Sequence, residues 1–271
     1  QSKADFKSQS EKVINQLLTQ LQTKGQLSDE ITQRMAMLDL SNQEAVGAFV
    51  RDLSTMTAPL KDKLYEAYLN SILSGPLTHA ANVTGNLAQT ALRPFDRVGA
   101  AVVDVGRAAV TGTPRERFFA EGPLDLLGMA SSLKDASRSF LKSMSNGFAT
   151  YGSKLETATA ASIGGRTGEV VRVPTKLLSA TDEFFKALSR GGTRYVAAYR
   201  EAMAEGATGT HLARSVVQKV QSPLQSEATT KLLTDEALRA TFQQDLGRWG
   251  KAAIHFRNEI EPLRYVMPFI K

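Results

Sequence analysis

The chain has 271 residues, a length that allows one large domain or two small ones. Apolar residues make up 42% and aromatics only 7%, so a core is affordable but must be built largely from small and aliphatic side chains. The net charge of +6 comes from interleaved charges, as in Arg115-Glu116-Arg117, which suits a solvated surface better than a nucleic-acid tract; the lack of cysteine excludes disulfides, iron–sulfur clusters and thiolate zinc sites.

Helix signals dominate. Val13, Ile14, Leu17, Leu18 and Leu21 share one face, and Gly25 is a stop. Ser28 before Asp29-Glu30 opens a short helix carrying Ile31, Met35 and Leu38. Ser41 with Glu44 has capping-box spacing and leads into Val46, Phe49, Val50 and Leu53. Pro59 falls near the start of the next helix, where its missing N–H is harmless. That helix runs through Tyr65 and Tyr68 to Leu73.

Ser74-Gly75-Pro76 breaks the chain. A segment over 78–111 follows, with a bend expected at Arg93-Pro94. Its second half, Val98 to Val110, is rich in Ala, Val and Gly, interrupted by Asp104 and Arg107. Core packing is the first reading of this stretch. A tight helix–helix contact and a membrane-surface contact are the alternatives. Gly112-Thr113-Pro114 and Gly122-Pro123 are further breaks, and one long helix is expected over 124–151. The interval 152–174 is rich in Ser, Thr, Ala and Gly. Val170, Val171 and Val173 fit a short strand or an extended lead into a helix. From Pro174 the helical pattern returns through Phe184 and Phe185, with an interruption or kink at Gly191-Gly192 and an end at Gly206. The last third predicts helices over 210–220, 226–233 and 234–261.

Catalytic chemistry finds little footing. His79, His211 and His255 are isolated, without ligand spacing. Gly164-Gly165-Arg166-Thr167-Gly168 has the glycines of a phosphate loop but lacks the Gly-Lys-Ser/Thr ending. Asp182 and Lys186 are spaced as a helical ion pair, and Asp182 reads as an early-helix residue favoured by the dipole. No serine sits in a nucleophile-elbow context. No enzyme activity, metal or cofactor is therefore expected of this segment. No run of about 18 apolar residues marks a membrane span. Gln1 opens a polar stretch and residues 267–271 stop within an apolar phrase, so a piece of a larger protein is expected.

Three phrases are more specific. They are residues 68–79 continuing to Asn82-Val83-Thr84-Gly85-Asn86, residues 172–186 beginning Arg172-Val173-Pro174-Thr175, and the ending 263–271 with Met267-Pro268-Phe269-Ile270-Lys271. In this order they resemble a region of the large internal virion, or DNA-ejection, proteins of short-tailed bacteriophages and related giant polyvalent phage proteins. The resemblance spans about residues 65 to 271 and carries no catalytic residue.

It implies a virion component that travels with the genome from the virion interior into the host envelope, periplasm or inner membrane. The implied partners are other virion or ejection proteins, further copies of the chain, phage DNA and the host membrane, with no small-molecule substrate. Two alternatives stand beside it: a helical spacer in a giant phage enzyme such as a virion polymerase or cell-wall hydrolase carrier, and a DNA-contacting helical module. The expected fold is all-α, a multi-helix bundle with kinked and broken long helices. It is divided into an N-terminal helical segment over 1–75, a central long-helix segment rich in small residues over 76–165, and a C-terminal bundle over 166–271. The candidate helix-joint or packing positions are Gly75, Pro76, Pro94, Pro174, Phe184, Phe185 and Pro268.

Overall fold

A computed structural model describes residues 3–40, 42–146, 161–222, 227–240 and Glu259. The protein is all-α, with eleven helices and no strand among the described residues. They are α1 (Lys3–Thr23), α2 (Asp29–Ala36), α3 (Gln43–Thr57), α4 (Leu60–Leu73), α5 (Pro76–Thr111), α6 (Glu121–Ser131), α7 (Leu133–Asn146), α8 (Gly165–Val171), α9 (Val173–Ala204), α10 (Gly209–Gln221) and α11 (Glu227–Ala240). The described residues fall into two compact units. One lies within Gln1–His79 and Lys142–Ala180, the other within Ala80–Leu141 and Thr181–Gly247.

In the first unit, the apolar stripe of α1 packs against α3. Ile14, Leu21, Ile31, Val46, Phe49, Val50 and Leu53 form a closed cluster, with Val13, Leu17 and Leu18 at its margin. Full burial of each such aliphatic or aromatic side chain contributes about 1.5–3 kcal/mol. The turn from α1 is set by Gly25, whose φ of 65° is in the left-handed region. With glycine there, the Gln26 N–H reaches back to the Leu21 carbonyl at 2.9 Å and closes the helix end. Ser28 then caps α2, its hydroxyl accepting from the Ile31 N–H at 3.3 Å. The expected box partner Ser41 lies outside the described residues.

In the second unit, α9 and α10 meet through alanine. Ala198, Ala202, Ala207 and Val216 are buried together, with Tyr195, Tyr199, Leu212 and Val220 packed around them. Small side chains let the two helices approach closely.

Several boundaries differ from the sequence reading. The helix expected over 124–151 is two helices, α6 and α7, divided at Ser132. Its N–H is shared between the Gly128 and Met129 carbonyls at 3.2 and 3.1 Å, which tightens the last turn of α6. Gly122-Pro123 is no break but the first turn of α6. Val170 and Val171 belong to α8 and Val173 to α9, so the strand alternative does not hold. Gly191-Gly192 interrupts nothing, since α9 continues through it. The division expected at 233–234 is absent, since α11 runs through it from Glu227 to Ala240; residues 241–258 and 260–261 of the helix expected to 261 lie outside the described residues.

Candidate functional site

The joint positions divide into helix starts and close-packing points. Gly75 separates α4 from α5, and Pro76 is the first residue of α5. Pro174 lies in the first turn of α9. Both prolines stand where the helix has no N–H acceptor to offer. Pro94 is inside α5 and buried, and the helix continues through it. A Cβ placed on Gly122 would come within 2.8 Å of the Pro94 carbonyl oxygen. Phe184 and Phe185 make an edge-to-face pair, with centroids 5.4 Å apart and planes at 88°. Pro268 lies outside the described residues.

Asparagines of residues 68–86 bond between helices. In the first unit, Thr175 of α9 donates its hydroxyl to Asn70 Oδ1 of α4 at 2.7 Å. In the second, Asn82 and Asn86 of α5 donate their amides to Asp182 Oδ1 of α9 at 3.3 and 2.9 Å. Asp182 is therefore more than two turns inside α9, not at its start, and serves as an acceptor for α5. Lys186 turns to Glu183 instead, at 3.0 Å, in a pair from which solvent is nearly excluded.

Two further ionic clusters lie beside these contacts. Glu66 of α4 is buried, and its Oε2 accepts the backbone N–H groups of Ser162 and Ile163. Its Oε1 accepts from Arg172 Nη1 at 2.9 Å. One carboxylate thus fixes the chain entering α8 and the start of α9. Arg172 also reaches Glu169, which pairs with Lys176, and these cations hold the Glu169 carboxyl below its usual range.

In the second unit, Arg93 of α5 donates to Asp125 Oδ1 of α6 at 3.2 Å and to Thr193 Oγ1 of α9 at 2.7 Å. Glu236 of α11 stands 3.8 Å from Arg93 and 3.3 Å from Arg97. Burial pushes the Asp125 carboxyl up, against the pull of Arg93, and the same burial lowers Arg93. Around this cluster α6 and α9 run backbone to backbone. A Cβ on Gly128 would lie 2.4 Å from the Gly191 carbonyl oxygen, and one on Gly192 only 2.3 Å from Asp125 Oδ1. Gly191-Gly192, expected to interrupt or kink the helix, is a point of contact with α6.

Asp104 and Glu121 hold the 112–120 connection. Asp104 Oδ2 accepts the N–H groups of Glu116 and Arg117 at 2.7 and 3.0 Å, and Oδ1 accepts from Arg107 Nε at 2.8 Å. The Arg117 N–H, then the Arg107 guanidinium and the Glu116 N–H, lower the Asp104 carboxyl to about 2. Glu121 is closed off from solvent. It accepts the Phe118 N–H at 3.0 Å and both arms of Arg200. Sequence reasoning passed over Glu66, Glu121 and Asp125. The only signal for Asp104 was a lone carboxylate in a run of Ala, Val and Gly.

The small-residue stretch of α5 corrects the first reading. Of Val98 to Val110, only Ala101 and Asp104 are buried. Phe95 and Val103 are each 73% exposed and Val110 is 87% exposed. The residues that α5 turns inward are chiefly polar: Asn86, Thr90, Arg93 and Asp104 beside Pro94 and Ala101. Asp96 is the only charged residue among the exposed positions of α5. The helix is amphipathic in the inverted sense.

No helix among the described residues is long and apolar enough to cross a membrane. None of their His, Asp and Glu side chains gather in threes to hold a metal. Comparison with protein-family models, curated proteins and solved structures finds no match to this chain.

Proposed function

We propose that the chain is a structural segment of an internal virion protein of a short-tailed bacteriophage, which helps build the genome-ejection conduit across the host envelope. One observation carries this reading. The residues of two of the phage-like phrases are hydrogen-bonded to each other, Asn70 to Thr175 and Asn82 and Asn86 to Asp182. The phrases lie about a hundred residues apart in the chain, and these bonds join them within one fold, which is the support the reading has.

The physical arrangement suits such a role. Helices joined at Gly75-Pro76 and Val173-Pro174 are pinned by buried ion pairs, which need matched geometry to be satisfied. The apolar outer face of α5 offers a surface for other virion components or further copies. A chain of this kind works by assembly, and its chemistry is that of packing.

The test is quantitative proteomics on particles released from a host that carries the gene. Peptides of this chain are expected in purified genome-filled particles, and their loss from particles is expected once ejection is triggered. Finding the chain only in the host cytosol, never in particles, would sink the reading.

A further inference from the structure

The exposed face of α5 has a seven-residue order. Ala81, Ala88, Phe95, Val102 and Ala109 recur at one heptad position, and Thr84, Ala91, Val98 and Val105 recur three residues after it. All of these are exposed, while Asn86, Arg93 and Asp104 point the opposite way into the unit. A heptad spacing of this kind is the seam that a second helix of matching period covers.

We propose that this seam is covered by α5 of a second copy, running antiparallel. The size order of the side chains favours that occupant. In an antiparallel pair centred on Arg93, Phe95 meets Ala91 of the other copy and Val98 meets Ala88. Further out, Val102 meets Thr84 and Val105 meets Ala81. Three of these four layers set a bulkier residue against alanine, as close packing requires, and the fourth sets Val102 against the similar-sized Thr84. A parallel pair would stack Phe95 on itself and leave alanine on alanine at positions 81, 88, 91 and 109. The antiparallel register also brings the two 36-residue helices into nearly full overlap, since α5 runs from Pro76 to Thr111.

The area is sufficient. A helix of this length is about 54 Å long, and a strip about 10 Å wide on each copy gives on the order of 1,100 Å² in total, enough for a specific interface. A lipid surface fits less well. Interfacial helices flank their apolar residues with cations, whereas the only charged residue exposed on α5 is Asp96, and Arg93, Arg97 and Arg107 are turned to internal carboxylates. The pairing deepens the proposed function by naming a partner, and rests only on the self-association in that reading, not on the virion placement.

The absence of cysteine makes the test direct. In the full chain, Ala88→Cys combined with Val98→Cys is treated with a short bis-maleimide. The double variant is expected to cross-link to a covalent dimer. Either single variant is expected not to, because identical positions then lie roughly 15 Å apart along the seam. Self-cross-linking of Ala88→Cys alone as efficient as that of the double variant would mean a parallel pair and overturn the proposal. A monomer by light scattering at micromolar concentration, with no cross-link, would overturn it too.

Phe95→Asp is expected to abolish the dimer with an unchanged far-ultraviolet spectrum, and the cysteine pair gives its answer even if that variant misfolds. Monomers that float with anionic phospholipid vesicles would assign the face to lipid instead. A chain that cross-links in this register yet is missing from particles keeps the dimer and removes the virion reading. The converse result removes only the dimer.

Discussion

Replacing Glu66 with alanine strands three donors at once. The N–H groups of Ser162 and Ile163 and one arm of Arg172 all end on that carboxylate. Arg172, largely buried, would keep only Glu169 and the Ile163 carbonyl, and breaking a buried pair on one side costs about 3–5 kcal/mol. Urea unfolding should show Glu66→Ala destabilised by that order. Glu169→Ala is the contrasting case: its carboxylate serves Arg172 and Lys176 but is half exposed. It should cost less than about 1 kcal/mol. Equal losses for the two variants would mean that the pinning of α8 and α9 by Glu66 has been misread.

Asp104 makes a pH prediction at the same scale. Its folded carboxyl is lowered to about 2 from 3.8 by two backbone N–H groups and Arg107. A depressed acid contributes stability above its unfolded value, and that contribution disappears as pH falls through the folded value. The wild type should therefore lose stability between pH about 4 and about 2 more steeply than Asp104→Asn, followed by chemical unfolding. The variant should also exchange the Glu116 and Arg117 amides faster at neutral pH. Parallel stability curves and unchanged exchange would remove the role assigned to this carboxylate in holding the connection.

At the scale of elements, α6 and α9 owe their contact to glycine. Gly128 has no room for a Cβ, because the Gly191 backbone occupies that volume. Gly128→Ala must push two helices apart or strain one, and overpacking of this kind costs typically 1–3 kcal/mol. Thermal unfolding should show the loss, and a Gly128→Ala chain as stable as wild type would mean that the crossing is looser than described. This contact also shows what the sequence could not reveal. Gly191-Gly192 and Gly122 look like breaks because glycine lowers helix propensity, but tertiary approach outweighs propensity at both. Ser132 carries no Gly or Pro signal, so the division between α6 and α7 was invisible. The apolar stripes of α1 and α3 and the Ser28 cap were legible, because each rests on a pattern within a few residues, whereas the start of α5 was read two residues late, at 78 and not at Pro76. The bonds of Asn70 to Thr175 and of Asn82 and Asn86 to Asp182 were not legible, since no local rule connects positions a hundred residues apart.

For the whole molecule, the decisive feature is which side of α5 faces out. Periodicity locates an apolar stripe on a helix but does not say whether the chain's own core or another surface receives it. Here Arg93, Asp125, Thr193 and Glu236 take the interior, and the stripe of Phe95, Val102 and Val110 is left outside. Monomers rarely keep contiguous apolar patches beyond a few hundred Å² open to water. If a second copy covers the stripe, folding and association are linked, and mass action raises the stability of the paired state with concentration. The melting temperature of the wild type should therefore climb across a dilution series spanning two decades. The melting temperature of Phe95→Asp should stay level across the same series, because a carboxylate at the central layer cannot be desolvated without a partner. A level wild-type series, with a monomer at both ends of the range, would mean that α5 meets something other than itself. The apolar face would then belong to a heterologous contact, and the size matching between Phe95 and Ala91 would be coincidence.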